Sequence, residues 1–450
     1  MTGAYPNALR SFIELSLIRP NSLAGMMAMK WLKAHASAVR YRVGGLPGSI
    51  RYFPPPKIHS PKQILRHVEA RRYWRIRRAS EALELFWAVL LLPVFVVGAA
   101  VWHTGRSAAV HARRTGRPVL VQFLDQLRIY VSSGVMPATY YIFSLVDHPT
   151  NARARTFLKR AETKGMLYKI VREHMPPVSS LNDKSEFEKR CIEGGLPTIP
   201  TLALVSGGKV AGADALPPGD LFIKPLNGKG GRGAERWRWA DGHYVSACRA
   251  LTPARLIDHL RARSHHSALL VQPCVRNHAS LADLNCGTLA TIRLLTCLDR
   301  HGAPELIGAA LRMAVDPMSV VDNLHQGGIA AAIDLETGCL GAASNLGKDP
   351  RLGWLDQHPT TGARIEGRRL EWWPEVKALG LRAQAVFSDR LFVGWDLAMT
   401  EDGPIVVEGN SSPDLDILQR CSRQGMANGR FAELLAERLV DWGECERFAA

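Results

Sequence analysis

Apolar and polar positions divide the chain into stretches with different rhythms. From about residue 181, β-rich runs follow one another, with Gly-rich turns and a few helical stretches between them. Leu221–Lys224, Ala268–Gln272, Thr288–Leu298, Leu306–Met313, Ile329–Leu335, Phe392–Met399 and Ile405–Glu408 read as strands, bounded by turn formers. Strands that succeed each other directly predict antiparallel sheets and an α+β class. Residues 111–180 read as helices and loops, including V-L-V-Q-F-L-D-Q-L-R-I-Y-V, where Asp125 and Arg128 exclude a lipid-exposed span. The first stretch ends in eighteen residues without a charge, Leu85 to Trp102, the lower limit for a spanning helix. Pro93 lies inside this run and predicts a break. The expected organisation is a basic arm over 1–110 with an apolar helix at 85–102, a helical linker over 111–180, an α+β domain over 181–435 and a tail over 436–450.

Charge sharpens the division. Residues 1–80 hold fifteen Lys or Arg against Glu14 and Glu69, a local balance of +13 out of +16 for all 450 residues. The basic signal therefore belongs to an N-terminal arm. Such an arm suits anionic lipid, nucleic acid or polyanionic glycan, or forms a plain solvated surface. Tyr52, Phe53, Tyr73 and Trp74 are candidates for stacking on bases. With no nucleic-acid motif around them, that reading ranks below a membrane surface. No basic-then-apolar pattern with a small-residue cleavage site opens the chain. The eight cysteines show neither C-x-x-C nor zinc spacing, so they read as separate, mostly buried thiols in a reducing compartment.

Two segments carry candidate chemistry. In F-I-K-P-L-N-G-K-G-G-R-G, a strand delivers Lys224, and Gly228, Lys229, Gly230, Gly231, Arg232 and Gly233 follow. Glycines let backbone N–H groups approach phosphate oxygens, and the basic residues add charge. The order is neither a Walker A loop nor a Rossmann fingerprint, and the plain alternative is a basic hairpin turn. In G-W-D-L-A-M-T-E-D-G-P-I-V-V-E-G-N-S-S-P, the E-D-G turn brings Asp396 opposite Glu408 and Asn410, two residues on one face of the returning strand. Three hard oxygen ligands suit Mg²⁺; the plain alternative is a polar strand end. Arg293 in T-I-R-L-L-T and Arg312 in L-R-M are candidates to stabilise phosphoryl charge, and D-N-L-H-Q-G-G adds Asn323.

Together these motifs resemble the ATP-grasp superfamily over about 240 residues, with the sugar-transfer-associated (alpha-L-glutamate-ligase-related) group as the nearest match. The segment L-N-D-K-S-E-F-E-K-R-C-I-E-G-G-L-P-T-I-P resembles the family's Asp-Lys pair that opens a helix, and assigns Lys184. F-I-K-P-L resembles the strand whose lysine meets nucleotide phosphates, and 228–233 the loop that covers them. Gln272, Pro273, Cys274 and Val275 resemble the adenine-holding hinge. The stretch from T-I-R to V-E-G-N-S-S-P is similar to the ribosomal-protein glutamate-ligase type. The resemblance implies an ATP-grasp fold, two α+β subdomains gripping ATP, after a mainly helical N-terminal region. Two departures stand out. Gln272 and Cys274-Val275 replace an acidic residue common in the hinge, and Gly394 stands where peptide-ligase relatives often carry an arginine.

The implied activity is an ATP-dependent ligase: a substrate carboxylate becomes an acyl phosphate, and an amine or other nucleophile attacks it. Lys184 and Lys224 would hold phosphates, while Asp396, Glu408 and Asn410 would hold Mg²⁺ or Mn²⁺. The alternatives are a phosphotransferase acting on a saccharide or lipid-linked acceptor, and a membrane-surface scaffold that binds ATP without turnover. The association with sugar transfer implies a small-molecule or saccharide substrate in cell-envelope or exopolysaccharide metabolism. The implied location is the cytoplasm, at the inner face of the membrane. A single span through 85–102 would export the basic arm, against the positive-inside rule, so the run reads rather as interfacial, re-entrant or buried. The loop with His358, Pro359 and Gly362 is a further candidate for substrate contact, with a structural loop as the alternative.

Overall fold

The computed structural model describes residues 38–52, 60–76, 78–212, 216–226, 233–246, 248–322, 324, 327–347 and 349–445. The C-terminal half contains two antiparallel sheets. The first is built from β1 (Ala203–Ser206), β2 (Lys209–Gly212), β3 (Leu221–Pro225), β4 (Glu235–Ala240), β5 (His243–Val245), β6 (Ala250–Leu251) and β7 (Leu269–Pro273), in the order β2-β1-β7-β3-β4-β5-β6. The second contains β8 (Thr291–Leu298), β9 (Pro304–Met313), β10 (Ile329–Ile333), β11 (Leu340–Ser344), β12 (Phe392–Thr400) and β13 (Gly403–Asn410), in the order β11-β10-β9-β8-β12-β13. With the helices around them, the architecture is the α+β class expected.

The second sheet is covered on both faces, which explains its nearly unbroken apolar strands. Ile292 and Leu294 of β8 join Val393, Trp395 and Leu397 of β12 and pack under helix Trp373–Val386. Leu295 and Cys297 point the other way and join Leu418, Phe431 and Leu435 from the last two long helices. Arg293, at odd parity in β8, shares that second face. Ile64, Leu65 and Val68 of helix Pro61–Trp74 belong to the same core and meet helix Arg430–Asp441. That helix runs through position 435, where the tail was expected to begin. An ion-pair group fixes helix Pro61–Trp74 further: Arg66 Nε donates to Glu162 Oε1 at 3.1 Å, and Lys159 Nζ lies 2.6 Å from the same oxygen. Burial pushes the nearby Glu69 carboxyl up to about 8, and the charge of Glu162 adds to the shift.

The apolar run lies in one helix, Ala79–Thr115, that continues through Pro93. The break that the interfacial or re-entrant reading placed at Pro93 does not occur. One lost N–H bond is tolerated because turns on both sides carry the helix on. A stripe of Ala88, Leu92 and Val96 packs toward Val43 and Tyr130. Helix Val119–Ser133 folds back alongside: Gln122 Nε2 reaches Ala108 O at 3.0 Å and Gln126 Nε2 reaches Thr104 Oγ1 at 2.8 Å. The outer faces of both helices stay apolar and open, with Phe86, Val94, Val101, Trp102, Leu120, Leu124 and Val131 exposed. Residues 1–37 and 53–59 of the basic arm lie outside the described residues, Phe53 among them. Tyr73 and Trp74 are turned inward instead of forming a stacking surface. Tyr73 Oη donates to Arg42 O at 2.9 Å, and Trp74 Nε1 to Ser49 O at 3.3 Å.

Candidate functional site

The β12–β13 hairpin places Asp396 opposite Glu408 and Gly394 opposite Asn410. A register shift follows directly, since Leu397 pairs with Val406 and leaves Val407 as the extra residue. On the other side of β12, Asp396 faces Arg293 of β8. The three strands thus set Glu408, Asp396 and Arg293 in a row, one strand spacing apart.

Side chains turn this row into a network. Arg293 grips Asp396 through both ends, Nε to Oδ1 at 2.6 Å and Nη2 to Oδ2 at 3.1 Å. Arg312 Nη2 reaches Asp396 Oδ2 at 3.2 Å and Asp322 Oδ1 at 3.2 Å. Asp322 Oδ2 in turn accepts from the Thr291 N–H at 2.7 Å and the Thr291 hydroxyl at 2.6 Å. Burial alone would raise the Asp396 carboxyl. The charges of Arg293 and Arg312 outweigh it and hold the group below the usual carboxylate range. Arg293 and Arg312, read from the sequence as stabilisers of a transferred phosphoryl, both face Asp396. The register of β8 against β12 makes them its neighbours.

Glu408 behaves differently. Among the described residues it forms no ion pair, and its side chain reaches solvent in the cleft between the sheets. Protein around it raises its carboxyl and the charge of Asp396 adds to this, while Lys224, Lys184 and Arg293 pull the other way. The two lysines come from elsewhere in the fold. Asp183 caps helix Lys184–Glu193 by accepting from the Ser185 N–H at 2.9 Å and the Glu186 N–H at 3.1 Å. Lys184 Nζ donates to Pro225 O at 2.9 Å, beside Lys224 on β3. Burial lowers the Lys224 ammonium to about 8, the charge of Lys184 adds to the drop, and Glu408 offsets part of it. The cleft therefore holds a depressed lysine from one sheet and an elevated carboxyl from the other.

These donors fit a hard cation. Among the described residues no group of three His, Cys, Asp or Glu converges, so a metal here would rest on two carboxylates and the Asn410 amide. Asp396 and Glu408 face each other across the hairpin, and Glu408 lacks a cation of its own, which is the charge pattern that Mg²⁺ relieves.

The hinge residues stand where the chain passes between the sheets. Gln272 is buried on β7, its Nε2 donating to Ile199 O at 3.1 Å while Oε1 has no partner. Pro273 ends the strand, and the Cys274 N–H donates to Asp220 O at 2.8 Å. Burial pushes the Cys274 thiol up to about 11. Val275 follows, on the way to β8. Of the phosphate-loop candidates, Gly228, Lys229, Gly230, Gly231 and Arg232 lie outside the described residues, as does Asn323. Gly233 has a φ of +74°.

Two features escaped sequence reading. Gly394 is crowded by Pro413, whose Cβ would stand 2.5 Å from an added Cβ, so a larger residue has no room. Arg160, from the helical region, pairs with Asp414 and Asp416 just past Asn410, with 2.7 Å between Nε and Asp416 Oδ2. No local pattern signals a contact across about 250 residues. His358 takes the structural alternative: it is buried, its Nε2 lies 3.0 Å from Ala314 O, and Nδ1 accepts from the Thr360 and Thr361 N–H groups.

The family described as sugar-transfer associated ATP-grasp matches residues 172–432. Comparison with curated proteins gave no match. Among solved structures, the chain is similar to D-alanine–D-alanine ligase from Bacillus anthracis at 12% identity, over 58% of this chain and 69% of that one, with a TM-score of 0.33. Biotin carboxylase from Campylobacter jejuni gives 12% identity, 60% and 50% coverage and a TM-score of 0.36. An L-amino acid ligase from Bacillus licheniformis gives 11%, 57%, 48% and 0.34. The chain spans about half the length of these last two, and at such scores the structural similarities add nothing to the family match.

Proposed function

This chain belongs to the sugar-transfer associated ATP-grasp family, and we propose that it is an ATP- and Mg²⁺-dependent ligase that activates a substrate carboxylate as an acyl phosphate for attack by an amine or other nucleophile. The observation that carries the proposal is the facing pair Asp396 and Glu408, set against Lys184 and Lys224 across the cleft. Lys224 and Lys184 are placed to bind nucleotide phosphates and orient the terminal one. Glu408, Asp396 and Asn410 would hold the metal, which when bound screens phosphate charge. Arg293 and Arg312 fix the direction of the Asp396 carboxylate. The backbone at Cys274 and Val275 is the adenine edge, and Gln272 Oε1 is an unused acceptor beside it.

The family's association with sugar transfer supports a small molecule or saccharide of the cell envelope or of exopolysaccharide as the substrate. The exposed apolar faces of helices Ala79–Thr115 and Val119–Ser133, flanked by Arg78, Arg113 and Arg117, support a protein that works in the cytoplasm against an anionic membrane surface. The deciding experiment incubates the full chain with ATP, Mg²⁺ and a panel of amino acids and uronic-acid sugars, with mass detection. A ligase releases phosphate in proportion to a new amide or ester. Phosphate retained on the acceptor would make it a phosphotransferase, and ATP binding without product a scaffold.

A further inference from the structure

Arg423 and Arg420 stack on Trp354, Arg114 lies at the neighbouring Gly353, and Arg153 is close enough to feel the charge of Arg423. Arg114 is in the last turn of helix Ala79–Thr115, Arg153 in the short helix Asn151–Ala154, and Arg423 follows helix Asp416–Ser422 in the left-handed region at φ 56°. The Arg423 guanidinium carbon lies 4.0 Å from the Trp354 ring centroid, and that of Arg420 4.7 Å. Arg114 lies against the backbone of Gly353, where φ is +62° and any Cβ would collide with the guanidinium. Beneath them Arg420 is buried and fully engaged. It donates to Tyr141 O at 2.7 Å, Ile142 O at 2.9 Å, Ser144 Oγ at 2.7 Å and Ser344 Oγ at 2.9 Å.

The upper three arginines are a different matter. Among the described residues, the guanidiniums of Arg114, Arg153 and Arg423 form no hydrogen bond and no ion pair. Burial lowers Arg153, and the charge of Arg423 adds to the drop, with Asp147 the acid that offsets it. Burial likewise takes Arg420 down to about 10, with Arg114 and Arg423 adding to it. Like charges held together on a rigid frame are costly unless an anion completes them. Guanidinium forks match phosphate oxygens in pairs, and an indole face fixes the direction of one fork.

We propose that Arg423 on Trp354 and Arg114 at Gly353, with Arg153 beside Arg423, bind a phosphate or diphosphate group. The site is separate from the nucleotide cleft. Arg420 anchors it to Ser344 on β11, the opposite edge of the six-stranded sheet from β13. Two sources offer the same chemistry. Val101 and Trp102, exposed on the helix that carries Arg114, favour a lipid phosphate, while a soluble phosphorylated ligand would use the same forks.

The test uses the full chain, without nucleotide, in two arms: calorimetric titration with inorganic pyrophosphate, and cosedimentation with phosphatidylcholine vesicles containing phosphatidic acid. Arg153→Gln and Arg423→Gln are compared with wild type and with Arg261→Gln, an exposed arginine on another face. The nucleotide cleft is intact in all four proteins, so differences report on the arginine cluster. The proposal expects both variants to bind about tenfold more weakly in at least one arm, with Arg261→Gln unchanged. Loss with vesicles alone assigns a lipid phosphate, and loss with pyrophosphate a soluble ligand. No difference in either arm, or an equal loss in Arg261→Gln, would overturn the site. Unchanged thermal midpoints establish that the variants fold, and Arg114→Gln repeats the test from the third segment.

Discussion

Arg293 and Asp396 form a two-pronged ion pair across neighbouring strands, at 2.6 and 3.1 Å, so the carboxylate expected to hold magnesium first holds an arginine. Glu408, across the hairpin from Asp396, has no such partner among the described residues. The two carboxylates therefore answer differently to neutralisation. Asp396→Asn leaves Arg293 and Arg312 buried with little to face, and should cost about 3 kcal/mol of stability. Glu408→Gln removes repulsion as well as a ligand. It should leave stability within about 0.5 kcal/mol and slow ATP turnover about a hundredfold or more. Urea unfolding and phosphate release measure the two effects. Equal destabilisation by both would refute the division of roles.

Lys224 makes nucleotide binding depend on pH. Its folded value is about 8, against about 10.4 in an unfolded chain. Between these values the unfolded state binds more protons, so the lysine's contribution to stability improves as pH rises through that window. A bound polyphosphate restores the charge. ATP binding should thus take up a fraction of a proton near pH 8 and weaken as pH climbs above it. Calorimetry in two buffers of different ionisation enthalpy gives the proton count, and Lys224→Met should abolish it. A count of zero in wild type at pH 8 would contradict the geometry.

Gly394 allows a steric test. A Cβ there would meet Pro413 at 2.5 Å, so Gly394→Ala should cost about 1–3 kcal/mol by overpacking. The strain falls next to Asn410 and on the segment that Tyr168 holds through Pro413 O at 3.1 Å. Thermal unfolding reads the cost. An unchanged melting temperature would mean that Pro413 yields freely.

Much of the core hairpin was legible because its chemistry is local. The E-D-G turn and the two-residue period of a strand bring Asp396 and Glu408 together without any knowledge of the fold. The expected β8, β9 and β12 runs fell within two or three residues of the strands observed, since strands buried on both faces are long apolar runs. The five-residue β11, L-G-A-A-S, passed unnoticed, as did β1, β2, β4, β5 and β6. They are short and carry Lys209, Arg236, Arg238 and His243 on open faces, so neither length nor periodicity marks them. The pairing of Arg293 and Arg312 with Asp396 was not legible for another reason. An arginine in a strand announces a charge partner but not which one, and the order β9-β8-β12 decides that.

The apolar helices make a prediction about surfaces. Val94, Trp102, Leu120 and Val131 are 70%, 67%, 67% and 73% exposed, an apolar face that water alone does not favour. The full chain should cosediment with vesicles containing anionic lipid, and added salt should release part of it by screening the arginines. Val94→Glu combined with Leu120→Glu should abolish most of the remainder. Binding that is indifferent to both salt and these substitutions would point away from a membrane.

Arg160 links the helical region to the site more directly than any apolar contact. Its Nε lies 2.7 Å from Asp416 Oδ2, it also pairs with Asp414, and Lys164 joins Asp414 at 3.3 Å. Burial pushes the Asp416 carboxyl up to about 6, with the charge of Asp414 adding to it. A carboxyl raised above its unfolded value favours folding less as pH climbs through the gap between the two. Arg160→Met removes the cation that limits this rise, so its destabilisation, about 3 kcal/mol, should be larger at pH 8 than at pH 5. The segment 411–416 continues directly from Asn410, whereas Lys184 and Lys224 lie across the cleft and keep their positions. The variant should therefore lower kcat while leaving the KM for ATP little changed. A rise in KM with kcat intact would show that the pair serves the nucleotide side and not the hairpin.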